Sequence, residues 1–123
     1  MTAPTVELLW WEGCPSTDRA LAELRDVLAA EGLDPDAVML REVPTEPAAE
    51  QEGFVGSPTI RVNGVEVAPA PGEPGGLTCR VYVRRDGAIS PTPDPEDIRE
   101  AIRRAGVGAQ ADRRSREHRT RIS

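Results

Sequence analysis

Lysine is absent from this 123-residue chain, and all 15 basic residues are arginine. That excludes Schiff-base chemistry on a lysine and a Walker-type phosphate loop. There are two cysteines, Cys14 and Cys79, too few for a disulfide framework, so any disulfide would serve function rather than scaffolding. The single histidine, His118, lies near the C-terminus, which argues against a Cys–His catalytic pair or a zinc site. Aromatic residues make up only 3%, so the core must be built from Val, Leu, Ile and Ala. No apolar run approaches membrane-spanning length. No basic-then-apolar start is visible, and the expectation is a cytoplasmic protein without a membrane partner.

The charge is unevenly spread. The net charge is −6, yet residues 112–123 carry five arginines against Asp112 and Glu117, so residues 1–111 hold a balance of −9. An acidic body argues against nucleic acid as a partner. The expected organisation is one domain over residues 1–107 followed by a basic, disordered tail over 108–123.

The order of elements follows from periodicity. In "TVELLWW" (5–11) apolar residues occupy both parities, as in a central strand covered on both faces. From Pro15 the pattern turns helical, with Ala20, Leu21, Leu24, Val27 and Leu28 on one face and Gly32 as the stop. "DAVMLREV" (36–43) reads as a second strand, parallel to the first through a right-handed crossover. A short helix is expected over 45–54. A strand or a hairpin turning at Asn63-Gly64 follows over 59–68. The Pro/Gly-rich stretch 69–76 excludes regular structure, and 77–90 reads as another strand with a turn at Asp86-Gly87. A last helix runs over 91–106, capped by Asp94 with Pro95 at its first position. The expected fold is α/β, β-α-β-(short α)-β-β-α, with a central mixed sheet of about four strands.

Chemistry centres on "WWEGCPST". A cysteine at a helix N-cap faces unpaired backbone N–H groups and the positive end of the macrodipole, and both favour thiolate. Pro15 suits the first position of that helix. Ser16 or Thr17 hydroxyls are placed to hydrogen-bond the sulfur or to cap the helix. Glu12 and Asp18 act in the opposite direction, so the sequence leaves the sign of the shift open. Trp10 and Trp11 stand beside the thiol, either as a substrate wall or as core packing. Arg61, Arg80 and Arg84 are either surface charges or aids to an anionic thiol.

Two motifs together resemble the thioredoxin-fold superfamily. One is "WWEGCPST"; the other is "FVGSPTIRVNG" (54–64), in which Ser57-Pro58-Thr59 matches the family's cis-proline loop. Cys14 and Ser57 are forty-three residues apart, and the likeness spans roughly residues 5–106. It implies that Cys14 is a nucleophile in thiol–disulfide exchange, that the Pro58 loop lies against it, and that Trp11, Pro15, Ser57 and Thr59 bind substrate. The family's dithiol members have Cys-x-x-Cys, whereas here the fourth position is Thr17. A monothiol route with glutathione or another low-molecular-weight thiol, or with a partner protein's disulfide, is then implied. A second likeness joins Cys14 to Cys79, behind the Pro/Gly-rich loop. It is similar to the core of the organomercurial (alkylmercury) lyases and to small actinobacterial thioredoxin-like proteins related to them. There two distant cysteines and a carboxylate surround mercury. The acid position holds Thr17, with Asp18 one residue late as the other candidate proton donor. Cys14 and Cys79 would then be ligands for a soft metal only.

Three functions follow as alternatives: thiol–disulfide exchange at Cys14 with Cys79 as a remote resolving thiol, lyase-like handling of a thiophilic electrophile, and a non-catalytic binding scaffold. No further cofactor is required by any of them. The choice turns on whether Cys79 lies near Cys14. In a plain thioredoxin topology the third strand runs away from the cis-proline, so only the loop 68–77 brings the chain back.

Overall fold

The computed structural model describes residues 4–69 and 75–105. The tail 108–123, with His118, and most of the Pro/Gly-rich loop fall outside these. The first strand, β1 (Val6–Trp10), is central, as its two-sided apolar pattern requires. On one side it pairs in parallel with β2 (Val38–Glu42), Leu8 opposite Leu40. On the other it pairs antiparallel with β3 (Thr59–Val62), Leu9 opposite Thr59. The strand β4 (Val65–Glu66) closes the sheet in the order β2-β1-β3-β4.

The two parities of β1 feed two separate cores. Val6 and Leu8 pack with Leu24, Val27 and Leu28 of helix α1 (Thr17–Ala30), and with Ile98 and Ile102 of a helix over 95–105, here α3. Leu9 packs on the opposite face with Val43, Phe54 and Ala49 of α2 (Glu46–Glu52). Each such buried aliphatic side chain contributes about 1.5–3 kcal/mol. The protein is a small α/β domain of thioredoxin-like topology, in the expected element order.

Local signals explain the boundaries. Gly32 adopts φ 76°, and Leu33 N–H bonds to the Leu28 carbonyl at 2.8 Å, which terminates α1 in a Schellman arrangement. Thr45 caps α2, its side chain accepting from Ala48 N–H. Asp94 caps α3, its carboxylate accepting from Glu96 N–H at 2.9 Å with Pro95 next in sequence. The Asn63-Gly64 turn joins β3 to β4 with both residues at positive φ, so 59–68 is a hairpin rather than one strand.

Residues 77–90 depart from the single strand that their composition suggests. They form a separate two-stranded sheet, β5 (Tyr82–Val83) with β6 (Ile89–Ser90), around the Asp86-Gly87 turn. The fourth strand of the main sheet is β4 instead. Once the hairpin has placed β4 on the free edge of β3, the segment 78–80 reaches the sheet only at one place, a parallel bridge between Cys79 and Ser57.

Candidate functional site

Topology alone brings the two motifs to one pole. Because β3 runs antiparallel to β1, the residues just before Thr59 lie beside the end of β1, where the Trp10–Cys14 segment begins. The Ser57–Pro58 peptide bond there is cis. Cys14 sits beside this loop, its Sγ 3.4 Å from the Ser57 carbonyl oxygen. The Ser57 hydroxyl in turn accepts from Trp11 N–H at 3.1 Å. Cys14, Trp11 and Ser57 are therefore tied across forty-three residues of sequence.

Cys14 is not at the N-cap itself. Ser16 holds that position and α1 begins at Thr17, so the thiol precedes the helix by one tight turn, closed by Cys14 N–H to the Trp11 carbonyl at 2.9 Å. Pro15 likewise lies before the helix. Within that turn the Trp11 ring folds back over Gly13. A Cβ there would fall 2.4 Å from the indole, so any larger residue would have to displace the ring.

Burial is the largest influence on the Cys14 thiol and acts to raise its pKa. Four donors outweigh it, and the net direction is down: the Ser57 hydroxyl, the Ser16 backbone N–H, the Cys79 thiol and the Thr17 hydroxyl. Cys14 is only 7% exposed, so these donors act in a partly dry setting. Cys79 behaves in the opposite way. Its own desolvation, the negative charge on Cys14 and the hydrogen bond to Cys14 all hold its proton on. Both cysteines are free, Cys14 buried and Cys79 exposed.

The proximity of the two thiols has a definite cause. The β3–β4 hairpin already returns the chain, with Val67 N–H bonding to the Ile60 carbonyl at 2.9 Å. Further along, Gly76 N–H bonds to the Phe54 carbonyl at 2.9 Å. Residues 78–80 then run alongside Ser57, which donates to the Thr78 carbonyl at 2.7 Å and accepts from Arg80 N–H at 2.8 Å. Gly56 permits this approach. It has φ 142°, and a Cβ there would meet the Arg80 side chain at 2.5 Å.

Arg80 and Tyr82 lock the loop from behind, a role the sequence reading did not assign to either. The Arg80 guanidinium is 9% exposed and bonds to Glu66 at 3.1 Å, to the Thr59 hydroxyl at 3.4 Å and to the Ala68 carbonyl. It also lies over the Tyr82 ring, 4.5 Å from the centroid. The Tyr82 hydroxyl donates to the Pro58 carbonyl, and burial pushes its pKa up to about 12. The only signal for these two was their position one and three residues after Cys79.

The remaining candidate residues divide. Thr59 is fully buried, its hydroxyl donating to the Gly56 carbonyl at 2.6 Å, so its side chain shapes the loop. The Thr17 hydroxyl lies 3.5 Å from the Cys14 carbonyl oxygen. Pro15, Thr17 and Asp18 line a hollow of about 480 Å³ with Cys14. Trp10 lines the same hollow, while Trp11 packs against the α2-side core. The parity of β1 decides this, because Trp10 shares the α1 face with Val6 and Leu8. Arg61 and Arg84 are engaged by Glu52 and Glu23, at 3.2 and 3.1 Å.

Among the described residues no group of three or more His, Cys, Asp or Glu side chains is placed to hold a metal ion. No described helix is long and apolar enough to cross a membrane. No family model matches the chain, and neither the curated proteins nor the solved structures contain a match to it. What is established is the class, a thioredoxin-like α/β domain with two neighbouring free thiols and no Cys-x-x-Cys.

Proposed function

We propose that the protein carries out thiol–disulfide exchange, with Cys14 as the attacking thiolate and Cys79 as the resolving thiol. The observation that carries this reading is the Ser57–Cys79 bridge beside the cis-proline, which sets a protonated thiol against a sulfur whose pKa is lowered. Cys14 attacks one sulfur of a substrate disulfide, forming a mixed disulfide and releasing the other half as a thiolate. That thiolate takes up a proton, from Cys79 or from solvent. The Cys79 thiolate then attacks Cys14 Sγ, forming the Cys14–Cys79 disulfide and releasing the second half. The substrate gains two electrons and the protein loses two. Either a small disulfide or a partner protein's disulfide meets this chemistry.

The test is reaction with a chromogenic aryl disulfide, followed by intact-mass measurement. Both halves of the reagent should be released as thiol and the chain should keep no adduct. Cys79→Ser should keep the adduct on Cys14. An adduct retained on the unmodified protein, one on each cysteine, would rule out resolution by Cys79.

A second reading uses the same sulfurs against a thiophilic electrophile such as an organomercurial. It is favoured by Asp18, which lines the hollow with Cys14 and would relay from water the proton that the carbon takes when the carbon–mercury bond breaks. The mercuric ion would stay on the two sulfurs. Hydrocarbon release, lost in Cys14→Ser, Cys79→Ser and Asp18→Asn, would select this reading; its absence would leave exchange alone.

A further inference from the structure

The hollow beside Cys14 combines apolar walls with acidic residues. Its walls are apolar, from Trp10, Leu21 and Leu40, and three carboxylates line it: Glu12, Asp18 and Glu42. Leu40 is 52% exposed, an apolar side chain left open on the edge strand β2. Several acids elsewhere are matched by arginines, among them Glu7 and Glu52 by Arg41, Glu66 by Arg80, Glu23 by Arg84 and Glu31 by Arg103, while among the described residues others such as Asp26 and Glu50 are not. Among the described residues none of Glu12, Asp18 and Glu42 has an arginine within salt-bridge distance. The arginines nearest the Pro58 loop, Arg61 and Arg80, are held by Glu52 and Glu66, so neither is free to meet an anion.

Resting on the exchange reading above, we infer that the hollow selects a low-molecular-weight disulfide carrying a cationic group, an aminothiol disulfide, over anionic disulfides such as that of glutathione. Cys14 is one of the residues lining the hollow, so a disulfide seated there lies beside the residue that attacks it. The disulfide's ammonium group meets unpaired carboxylates, and Trp10, an aromatic of the kind that attracts cations, lines the same hollow. A volume of about 480 Å³ suits a small molecule. Anionic disulfides meet like charge at every titratable wall residue. Glutathione, an acceptable partner from the sequence alone, becomes a poor one.

The experiment measures the rate constant for Cys14 in the reduced protein with three probes: cystamine (cationic), hydroxyethyl disulfide (neutral) and dithiodipropionate (anionic). Each is divided by the rate of the same probe with mercaptoethanol, which removes differences in intrinsic reactivity. At low ionic strength cystamine should exceed dithiodipropionate by roughly tenfold or more, with the neutral probe between. Added salt, or the combined change Glu12→Gln, Asp18→Asn and Glu42→Gln, should bring the three together. Equal normalised rates, or a preference for the anion, would overturn the selectivity while leaving exchange standing. No acceleration with any probe would overturn exchange and the selectivity with it. A charge preference that survives both salt and the triple change would place the selectivity outside the hollow and overturn the inference.

Discussion

Cys14 and Cys79 are neighbouring thiols, and their surroundings drive them in opposite directions. Cys14 is buried, yet four donors face it, and its pKa falls. Cys79 is exposed, yet its pKa rises, through desolvation of its sulfur first and then through the neighbouring Cys14. The intuitive expectation, a lowered pKa on the exposed thiol and a raised one on the buried thiol, is reversed here. Accessibility decides which sulfur can be reached, whereas the donors decide which one ionises more readily. The same division runs through the supporting structure. The Cys14 turn is held by backbone and hydroxyl hydrogen bonds, whereas the Cys79 segment adds to its backbone bonds with Ser57 an ion-paired, ring-stacked arginine.

That contrast can be broken experimentally, most severely at the sulfurs. Cys14→Ser should reduce exchange with a small disulfide by roughly 10³-fold or more. Cys79→Ser should leave the first attack within about threefold and halt the reaction at the mixed disulfide, because the ionising hydroxyls remain. Stopped-flow thiol release with mass analysis of the product separates the two.

Next is the arginine that positions Cys79. Arg80→Met leaves the partly buried Glu66 without its partner and should lower stability by about 3 kcal/mol in urea unfolding. Cys79 should then resolve the mixed disulfide more slowly, with the Cys14 attack rate little changed.

Ser57→Ala removes the strongest donor to Cys14, so the midpoint of its alkylation against pH should move upward. The sign for folding follows from linkage. A thiol whose pKa is lowered by folding adds stability that is present above its unfolded-state value and lost as pH falls through the folded one. Cys79, raised, works against stability as pH rises. The pH dependence of unfolding in Ser57→Ala should therefore be flatter on the Cys14 side. The smallest effect is expected from Tyr82→Phe, which loses one hydrogen bond to the Pro58 carbonyl, about 1 kcal/mol, and should shift the alkylation midpoint little.

Much of this arrangement was legible beforehand, and where it was not the reasons are specific. The two-sided pattern of β1 announced a central strand, and Asp94-Pro95 and Gly32 marked helix ends through chemistry that is local in sequence. The "GSPT" loop pointed to its own place beside Cys14. The position of Cys79 was not legible, because it depends on three non-local events: the return of β3 as a hairpin, the approach permitted by Gly56, and the Arg80–Glu66 pair. Reading 77–90 as one strand missed that the edge of β3 was already taken by β4. The choice between Trp10 and Trp11 as the wall of the hollow could have been made from strand parity. Trp10 shares the α1 face with Leu8, and the turn after Trp11 turns its ring back over Gly13.

The measurement that tests the pairing most directly is peptide mapping of the dilute reduced protein after one equivalent of a small disulfide. A peptide containing Cys14 joined through sulfur to one containing Cys79 is the expected product. A lasting probe adduct on Cys14 with Cys79 still free would contradict it.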